Sequence, residues 1–523
     1  MLETSNTFLA VVGVICAFGL YRLAQVGKRD PRMPPGPPTQ PLLGNIAEIP
    51  LTGLGKRFAE WAKVYGPIFS LKVGPGNIIV ICDRKAVYEL IDKKGSIYSD
   101  RPPNVVPLFI TRGNHMTMEK QGPSWREKRT VVTRNLNPKS LDEKHFRVQE
   151  AEAVMLMSNL LRDPDNFFSY SRLYATSVAS ILAWGFRAKT LESWWFKDPS
   201  AMIEKFIGAI EPGANPPIDL IPWLWYMPGK WKRRAYDLRD QMDKTWTHAR
   251  NLVDSRRAKG DERECMIDMK LDEYNQAGWP MSQHAFNNLF GELMEAGADT
   301  TANQILTIIL ALAKYPHVQA KARKEIDAVC GSERAPVFSD FDQLPYINAI
   351  VKEGLRWRPT TELGLPHTVA KDDWYNGMLI PKGSTIFVGV WAMHHDENHY
   401  KNHETFDPDR FLKHPKLANE LTFQALFVHH YGYGAGRRIC PGMHLAERSM
   451  WRIAAKLIWA FDISEPVDPK TGKVQPLDVD AYTSSNLVCP MPFNVQMKPR
   501  SQAHVESIKR EIAGAEEFLS QYE

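Results

Sequence analysis

Cysteine is scarce in this sequence and shows no disulfide or metal-binding spacing. The 523 residues contain no CxxC pair, and the six cysteines lie far apart at Cys16, Cys82, Cys265, Cys330, Cys440 and Cys489. Disulfide-stabilised secreted domains and structural zinc modules carry denser and more regular cysteine patterns. The sequence therefore excludes a disulfide framework and favours a reducing compartment.

An excess of charge of one sign is also lacking, because 65 Lys and Arg residues face 60 Asp and Glu residues. A nucleic-acid-binding domain concentrates more basic charge than this net +5. The hydrophobic share of 44% is too high for an intrinsically disordered chain. Long apolar runs are absent after residue 21, which excludes a protein with several membrane spans.

One apolar run is present, at the N-terminus. Residues 4–21 carry no charge, and the basic residues Arg22, Lys28, Arg29 and Arg32 follow them. A run of this length just crosses the hydrocarbon core of a bilayer, and basic residues favour the cytoplasmic side. We predict a single-pass anchor at 1–27 with the rest of the chain in the cytoplasm. A cleaved signal peptide and a buried core helix are the alternatives.

The remaining chain divides into a short connection and one large domain. Five residues at 34–38 include four prolines, which favour a stiff extended segment, so 28–53 is predicted to be a basic and Pro-rich hinge. Helical patterns dominate 54–523, with β-rich pieces at 68–73 and 78–82. The longest helical pattern runs from Ser282 to Lys314, and residues 296–301 (AGADTT) interrupt it with poor helix formers. That interruption predicts either a functional site or a bend that serves packing only.

A second unusual segment is the loop 433–442 (YGAGRRICPG), which precedes a helical pattern at 443–461. Its three glycines allow the backbone to approach a flat object closely. Cys440 lies before the helix N-terminus, where the helix dipole and Arg438 are expected to favour the thiolate. A thiolate there is either a metal ligand or a nucleophile. His429 and His430 are near in sequence, but their spacing from Cys440 matches no zinc or protease pattern.

This loop resembles the haem-binding signature of the cytochromes P450. Gly434, Gly436, Arg438, Cys440 and Gly442 carry the resemblance, while Tyr433 stands where the family usually has Phe, so its hydroxyl needs a partner if it is buried. The resemblance implies haem b with Cys440 as the axial thiolate ligand of the iron. It also implies the P450 fold, mainly α with a small β-rich lobe, here with an N-terminal transmembrane helix.

Other segments resemble the same family. Glu353 and Arg356 resemble its E-x-x-R pair and Arg410 its P-x-R-F partner, a buried charge triad, although a surface ion pair is the ordinary alternative. The resemblance implies that Trp125, Arg129, His367 and Arg438 bind the haem propionates. A solvated basic helix edge is the alternative for Trp125 and Arg129, and a plain loop residue for His367. Residues 296–301 resemble the oxygen-activation groove, where Thr300 would hold dioxygen and Asp299 would relay protons.

The resemblance to fungal microsomal members, such as the m-hydroxybenzyl alcohol hydroxylase type, implies a monooxygenase of the endoplasmic reticulum membrane. Its substrate would be a small secondary metabolite, an aromatic polyketide or a terpenoid. Electrons would come from NADPH through cytochrome P450 reductase, with cytochrome b5 as a possible second donor, and Lys128, Arg129 and Arg437 are candidates for the docking patch. The implied substrate contacts are Val105, Phe109, Glu295, Ala296, Leu363, Leu365 and Thr483. The alternatives are a P450-type isomerase or dehydratase that needs no reductase, and a non-enzymatic haem-binding protein.

Two further segments invite other interpretations. His394, His395, His399 and His403 could form a second metal site, but the acidic residues around them favour a solvated connection. The aromatic segment 222–228 (PWLWYMP), with Lys230, Lys232, Arg233 and Arg234 after it, fits either ordinary packing or contact with a bilayer.

Overall fold

The computed structural model describes residues 25–420 and 430–523, together with a few positions between residues 13 and 21. The predicted anchor at 1–27 therefore lies almost entirely outside the described residues, as does His429. Within the described part of the chain, no helix combines the length and the apolar character that crossing a bilayer requires.

The fold is mainly helical, as the sequence predicts. The α-helices of the described residues are α1 (Leu54–Tyr65), α2 (Arg84–Ala86), α3 (Gly95–Tyr98), α4 (Val105–Ile110), α5 (Pro123–Asn135), α6 (Pro138–Glu143), α7 (Phe146–Arg162), α8 (Phe167–Trp184), α9 (Trp194–Ile210), α10 (Lys230–Arg257), α11 (Met266–Ala277), α12 (Gln283–Lys314), α13 (Pro316–Val329), α14 (Pro345–Trp357), α15 (Val390–His394), α16 (Met443–Ala460) and α17 (Gln502–Ser520). A π-helix at Val87–Lys93 and short 3-10 turns, including Pro222–Tyr226 and Gly436–Arg438, connect some of them.

The strands of the described residues are β1 (Ile68–Val73), β2 (Gly76–Ile81), β3 (His367–Thr368), β4 (Asp373–Tyr375), β5 (Met378–Ile380), β6 (Thr385–Val388), β7 (Phe461–Ser464) and β8 (Gln496–Pro499). They form one four-stranded sheet, the β4–β5 hairpin and a separate antiparallel pair of β7 and β8. The order of the large sheet is β1-β2-β6-β3, in which β2 and β6 are parallel and the other pairs are antiparallel. This sheet brings His367, from a distant part of the chain, beside the strands near the N-terminus.

The central helix of the domain is α12. Ser282 caps its N-terminus by accepting a hydrogen bond from the amide of Ala285, and the helix ends at Lys314, as predicted. Residues 301–313 of α12 are all buried, and they pack against α8, α14 and α16. The C-terminal half of α12 therefore lies inside the protein, whereas Asp299 and Thr300 on its middle turns are only partly buried.

The Pro-rich segment is attached to the body. The amide of Ser70 in β1 donates to the carbonyl of Pro35, and the Arg29 guanidinium donates to the carbonyls of Gly36, Pro37 and Ser70. Met33 is buried. Residues 29–37 therefore contact the folded lobe, and the hinge at 28–53 stays a prediction.

Candidate active site

The cysteine loop has a backbone that only glycine adopts easily. Gly434 and Gly436 have φ angles of +75° and +67°, in the left-handed region. A Cβ atom on Gly436 would also lie 2.6 Å from the carbonyl oxygen of Ile91. The amide of Gly436 donates to the buried Asp92 carboxylate. These constraints bring the loop against the π-helix and fix Cys440 three residues before α16 begins.

Cys440 is partly buried, and its amide donates to the carbonyl of Tyr433 at 2.9 Å. Burial raises the pKa of the Cys440 thiol, and a hydrogen bond from the Gly442 amide and the charge of Arg129 only partly oppose it. Arg129, and not the Arg438 expected from the sequence, is the cation whose charge favours the thiolate here. A coordinating metal cation would deprotonate the thiol outright.

Tyr433 carries a hydroxyl that has no hydrogen-bond partner among the described residues although the oxygen is buried. Burial raises the pKa of this phenol well above its ordinary value, and the charges of Glu447 and Cys440 add to the effect. Leaving a buried hydroxyl unpaired costs about 1 to 3 kcal/mol. The departure from Phe at this position therefore has an energetic cost that the loop tolerates.

Arg438 does not point at Cys440. Its guanidinium stacks on the Trp125 ring at 4.1 Å and donates to the carbonyls of Ser99, Met116 and Glu119. Trp125 lies on α5, and its neighbour Arg129, one turn later, donates to the carbonyl of Ile439. The structure thus brings together three of the four residues expected to bind propionates.

A further cation in the same place, Arg101, was missed by the sequence reasoning. It is 4% exposed and donates to the carbonyls of Thr117, Leu365 and Pro366. Burial and the charge of Arg438 lower the pKa of Arg101 to about 9, while Asp100 opposes both. No local motif marks Arg101, which follows α3 in the run Ser-Asp-Arg-Pro at 99–102.

The buried Arg101 and the half-buried Arg129 and Arg438 form a cationic cradle that lacks an anionic partner among the described residues. No described carboxylate lies within ion-pair distance of any of the three guanidinium groups. Burial lowers the pKa of all three arginines. Uncompensated buried charge is expensive, so the cradle fits a ligand that brings carboxylates. The two propionates of haem, above a loop that offers one sulfur, meet this requirement.

His367 lies close to this cradle. Its Nδ1 atom donates to the carbonyl of Tyr98 at 2.7 Å. Burial and the charge of Arg101 lower the pKa of His367 to about 3. The assignment of His367 as a propionate-binding residue stays a prediction, and Arg101 is a further cation in the same place.

The interrupted turns of α12 carry the acid and the alcohol. The Thr300 hydroxyl donates to the carbonyl of Ala296 at 2.6 Å, as expected for a threonine that opens a helix. Ala296 is exposed although it lies in the middle of the helix. Burial raises the pKa of Asp299, while Arg172, with its Nε atom 3.8 Å from the carboxylate, opposes the rise. Asp299 can therefore hold a proton between a partly exposed arginine and the space beside Ala296.

The predicted charge triad is a buried ion cluster. Arg356 donates two hydrogen bonds of 2.7 Å to Glu353, and the Nε atom of Arg410 lies 3.5 Å from the same carboxylate. Glu353 and Arg356 have fully buried side chains, and the amide of Asp407 donates to Glu353. The triad thus joins α14 to the segment that leads back to the cysteine loop.

Comparison with known proteins decides the family. The family model of cytochrome P450 matches residues 34–482. The chain belongs to the cytochrome P450 family. Similar proteins include the cytochrome P450 monooxygenases patI of Aspergillus clavatus and acuD of Aspergillus aculeatus, each 40% identical. These alignments cover 97% of this chain and 96% of patI, and 98% of this chain and 97% of acuD. YanC of Aspergillus niger is 39% identical over 99% of this chain and 98% of its own length.

Membership in the P450 family makes this chain an oxygen-incorporating oxidoreductase that binds haem through a cysteine thiolate. Cys440 is the residue that would ligate the iron, and the cradle of Arg101, Arg129 and Arg438 would hold the propionates. When bound, haem supplies the activation of dioxygen. The protein contributes the cradle, the proton-holding Asp299 and the Thr300 hydroxyl on α12.

The expected docking patch needs correction. Lys128 is 1% exposed and its ammonium group pairs with the buried Glu119, so its assignment to a docking surface is wrong. Arg129 belongs to the cradle. Arg437 is exposed, and so are Arg126 and Arg134 on α5. The error arises because several residues of α5 are basic, and the sequence alone does not show which face of this helix packs inward.

The expected substrate contacts lie in several environments. Phe109 packs against Trp225 and Tyr236, with both ring centroids at 4.8 Å, and Leu363 packs against the apolar cluster of the β-lobe. Leu365 is 44% exposed. The remaining four have these contacts: the amide of Val105 donates to Asp219, Thr483 accepts from the amide of Cys489, Glu295 contacts His115, and Ala296 is exposed.

The histidine-rich segment brings together His395, His403 and Glu404, whose ligand atoms lie within 4.8 Å of one another. Arg358 lies among them, with a nitrogen 3.5 Å from His395 Nε2 and another contact of 3.7 Å to Glu404. A guanidinium in this position already supplies the positive charge. The geometry therefore does not favour a metal ion at these three residues. His394 and His395 are buried, so the prediction of a solvated connection is wrong for this part of the segment, while His399 is exposed.

Proposed function

We propose that this P450 hydroxylates a small organic substrate of fungal secondary metabolism, an aromatic polyketide or a terpenoid, with dioxygen and electrons from NADPH. The observation that carries the proposal is the pair of Asp299 and Thr300 on the interrupted turns of α12. A non-enzymatic haem carrier has no need of a proton-holding acid beside a hydroxyl. The organisms of the similar proteins named above support the fungal context.

The path for protons follows the exposure of the side chains. The side chain of Arg172 is 51% exposed, and that of Asp299 is 25% exposed. Asp299 can take a proton on the Arg172 side and present it toward the space that Ala296 faces. Thr300 contributes its hydroxyl there, which can turn from the Ala296 carbonyl toward a bound partner. Positioned proton transfer of this kind contributes about 10²-fold to 10⁴-fold to a rate.

The electrons would come from NADPH-cytochrome P450 reductase, with cytochrome b5 as a second donor. Arg437 supports docking near the cysteine loop, because it is exposed and lies three residues before Cys440. Replacing Arg437 by Glu should slow reductase-dependent turnover most at low salt, since exposed charges act mainly on association. An unchanged rate at all salt concentrations would remove Arg437 from the docking surface.

We also propose attachment to the endoplasmic reticulum membrane through residues 1–27, with the body in the cytosol. One surface supports this: Leu42, Leu43, Leu51, Trp223, Tyr226 and Met227 are all exposed. Leu51 lies against Gly213, and Leu220 lies against Gly76 at the tip of the β1–β2 hairpin. The segment 213–227 is therefore on the same side of the domain as the N-terminal residues of the hinge. Alkaline extraction of microsomes tests the anchor, because an integral protein stays in the pellet.

The first experiment is the reduced, CO-bound difference spectrum of the full-length protein and of Cys440→Ala. The wild type should show the red-shifted Soret band of thiolate-ligated haem, and the variant should lack it. Turnover with reductase and NADPH then distinguishes the alternatives. Conversion of a substrate without NADPH would indicate an isomerase or dehydratase, and haem binding without any turnover on a broad substrate panel would indicate a carrier.

A further inference from the structure

A half-buried carboxylate, Asp92, faces the cysteine loop from the π-helix Val87–Lys93. Its Oδ1 atom accepts a hydrogen bond of 2.6 Å from the Gly436 amide. Its Oδ2 atom is buried and has no hydrogen-bond partner among the described residues. π-Helical turns are rare and often occur at functional sites. The acid therefore lies beside the loop that carries Cys440, with one of its two oxygens unused by the fold.

No cation of the described part of the chain forms an ion pair with this carboxylate. Burial raises the pKa of Asp92 to about 7, and only the Gly436 amide opposes the rise. A buried carboxylate without a cation destabilises the folded state, because its lost hydration is not offset. An asparagine would keep an acceptor for the Gly436 amide without that cost. The stability of the fold therefore does not explain why an acid stands at this position.

The contact with Asp92 is linked to Cys440 through one short turn. Gly436 has a φ angle of +67°, and a Cβ atom on it would lie 2.6 Å from the carbonyl oxygen of Ile91, so the turn fits directly against the π-helix. The Ile439 amide donates to the Gly436 carbonyl at 3.1 Å. Ile439 is the residue before Cys440. Release of the Gly436 amide would therefore loosen the turn that leads into the cysteine.

From this geometry we infer that Asp92 is a positioning residue for Cys440, which holds the Gly436 turn in place and whose negative charge favours the ferric over the ferrous state of bound haem. The inference rests on the haem-thiolate site of the P450 family and not on the substrate proposed above. Gly436 and Cys440 are four residues apart. Four residues span at most about 14 Å. One charge at about this distance changes a one-electron equilibrium about fivefold when the effective dielectric constant is about 20.

The positioning role is tested with two variants of Asp92 and a matched control. Asp83 also accepts one backbone amide at 2.6 Å, but that amide belongs to Ala86 of α2 rather than to the cysteine loop. The full-length holoproteins are warmed, and the red-shifted Soret band of the reduced, CO-bound form is followed with time. Asp92→Ala should lose this band about tenfold faster than wild type, because it lacks a charged acceptor. Asp83→Ala should lose it at the wild-type rate.

The conservative variant Asp92→Asn separates the acceptor from the charge. It keeps an acceptor oxygen, so it should lose the red-shifted band no more than about threefold faster than wild type. Its ferric–ferrous equilibrium is titrated against a redox dye at about pH 8.5, where Asp92 of the wild type is ionised. The variant should be about fivefold more reduced than wild type at equal dye potential. Asp83→Asn should differ less than about twofold, because solvent and salt screen its partly exposed charge.

Three results would overturn the inference. They are equal rates of band loss in Asp92→Ala and Asp83→Ala, no rescue by Asp92→Asn, and an unchanged ferric–ferrous equilibrium in Asp92→Asn. If Asp92→Ala fails to fold or to retain haem, the equilibrium of Asp92→Asn decides alone. None of these measurements uses a substrate, so their failure is distinguishable from failure of the proposed hydroxylation.

Discussion

Replacing Arg129 by Gln should weaken haem retention without weakening the folded polypeptide. Gln keeps an N–H donor for the carbonyl of Ile439, which Arg129 contacts, and it removes one of the three positive charges of the cradle. In the apoprotein these charges repel one another and lack carboxylate partners, so replacing Arg129 breaks no ion pair. In the holoprotein the same charge would face a propionate.

The expected size follows from one charge-assisted hydrogen bond, about 1.5 to 3 kcal/mol. At about 1.4 kcal/mol per factor of ten, haem should leave the variant roughly 10-fold to 150-fold faster. The rate is measured by transfer of haem to an excess of apomyoglobin. The thermal midpoint of the apoprotein, followed by tryptophan fluorescence, should stay equal to that of wild type or rise.

Arg126→Gln is the matched control, because Arg126 is exposed and lies one turn earlier on the same helix. It should lose haem at the wild-type rate. A fall in the apoprotein midpoint of Arg129→Gln, in proportion to faster haem loss, would show that Arg129 acts as a structural residue and would refute the cradle. Equal haem loss from both variants would refute it as well.

Three other predictions follow from buried charged groups. Asp299→Asn should slow NADPH-dependent turnover about 100-fold while haem content and the CO-bound spectrum stay normal, and an unchanged turnover would remove the acid from the proton path. Glu353→Gln leaves the fully buried Arg356 without its carboxylate partner. In urea titrations this change should lower the free energy of unfolding by about 3 to 5 kcal/mol. A loss below about 1 kcal/mol, the value of a surface ion pair, would contradict the burial of the Glu353–Arg356 pair. Burial opposes the charge of His115, but the carboxylates of Glu292 and Glu295, 3.1 and 3.2 Å away, raise its pKa to about 10. The contribution of His115 to stability is therefore fully present below its ordinary pKa of 6.5 and is lost as the pH rises toward about 10, so thermal midpoints should fall more steeply over this range in wild type than in His115→Gln. Parallel curves would contradict the raised pKa.

Local sequence signals predicted the elements whose geometry depends on residues that are neighbours in the sequence. The Ser282 cap and the end of α12 at Lys314 each follow from a local residue preference. The Glu353–Arg356 contact follows from helical spacing. In the cysteine loop the glycines mark the positive φ angles directly. These features could be read without knowledge of the tertiary fold.

The errors concern residues whose role depends on what packs against them. Lys128 belongs to a strongly basic helix, and only the fold shows that it faces Glu119 inside the protein. His367 was singled out from its place in a loop, and only the fold shows that it is buried and donates to the Tyr98 carbonyl. Arg101 carries no motif of its own, and its place in the cradle comes from a segment far from the cysteine loop in sequence. Long-range packing decides charge state and exposure, and no local pattern records it.

The segment 99–119 connects the cofactor cradle with the central helix α12. Its carbonyls at Ser99, Met116 and Glu119 accept from Arg438, and the carbonyl of Thr117 accepts from Arg101. Its amides at residues 116 and 117 donate to Glu292 of α12, and its His115 contacts Glu295. The arginines that would hold the haem and the turn of α12 before Asp299 and Thr300 are therefore positioned by one stretch of backbone. Since that backbone is fixed from both sides, a change in it would shift the cradle and the acid and hydroxyl of α12 together.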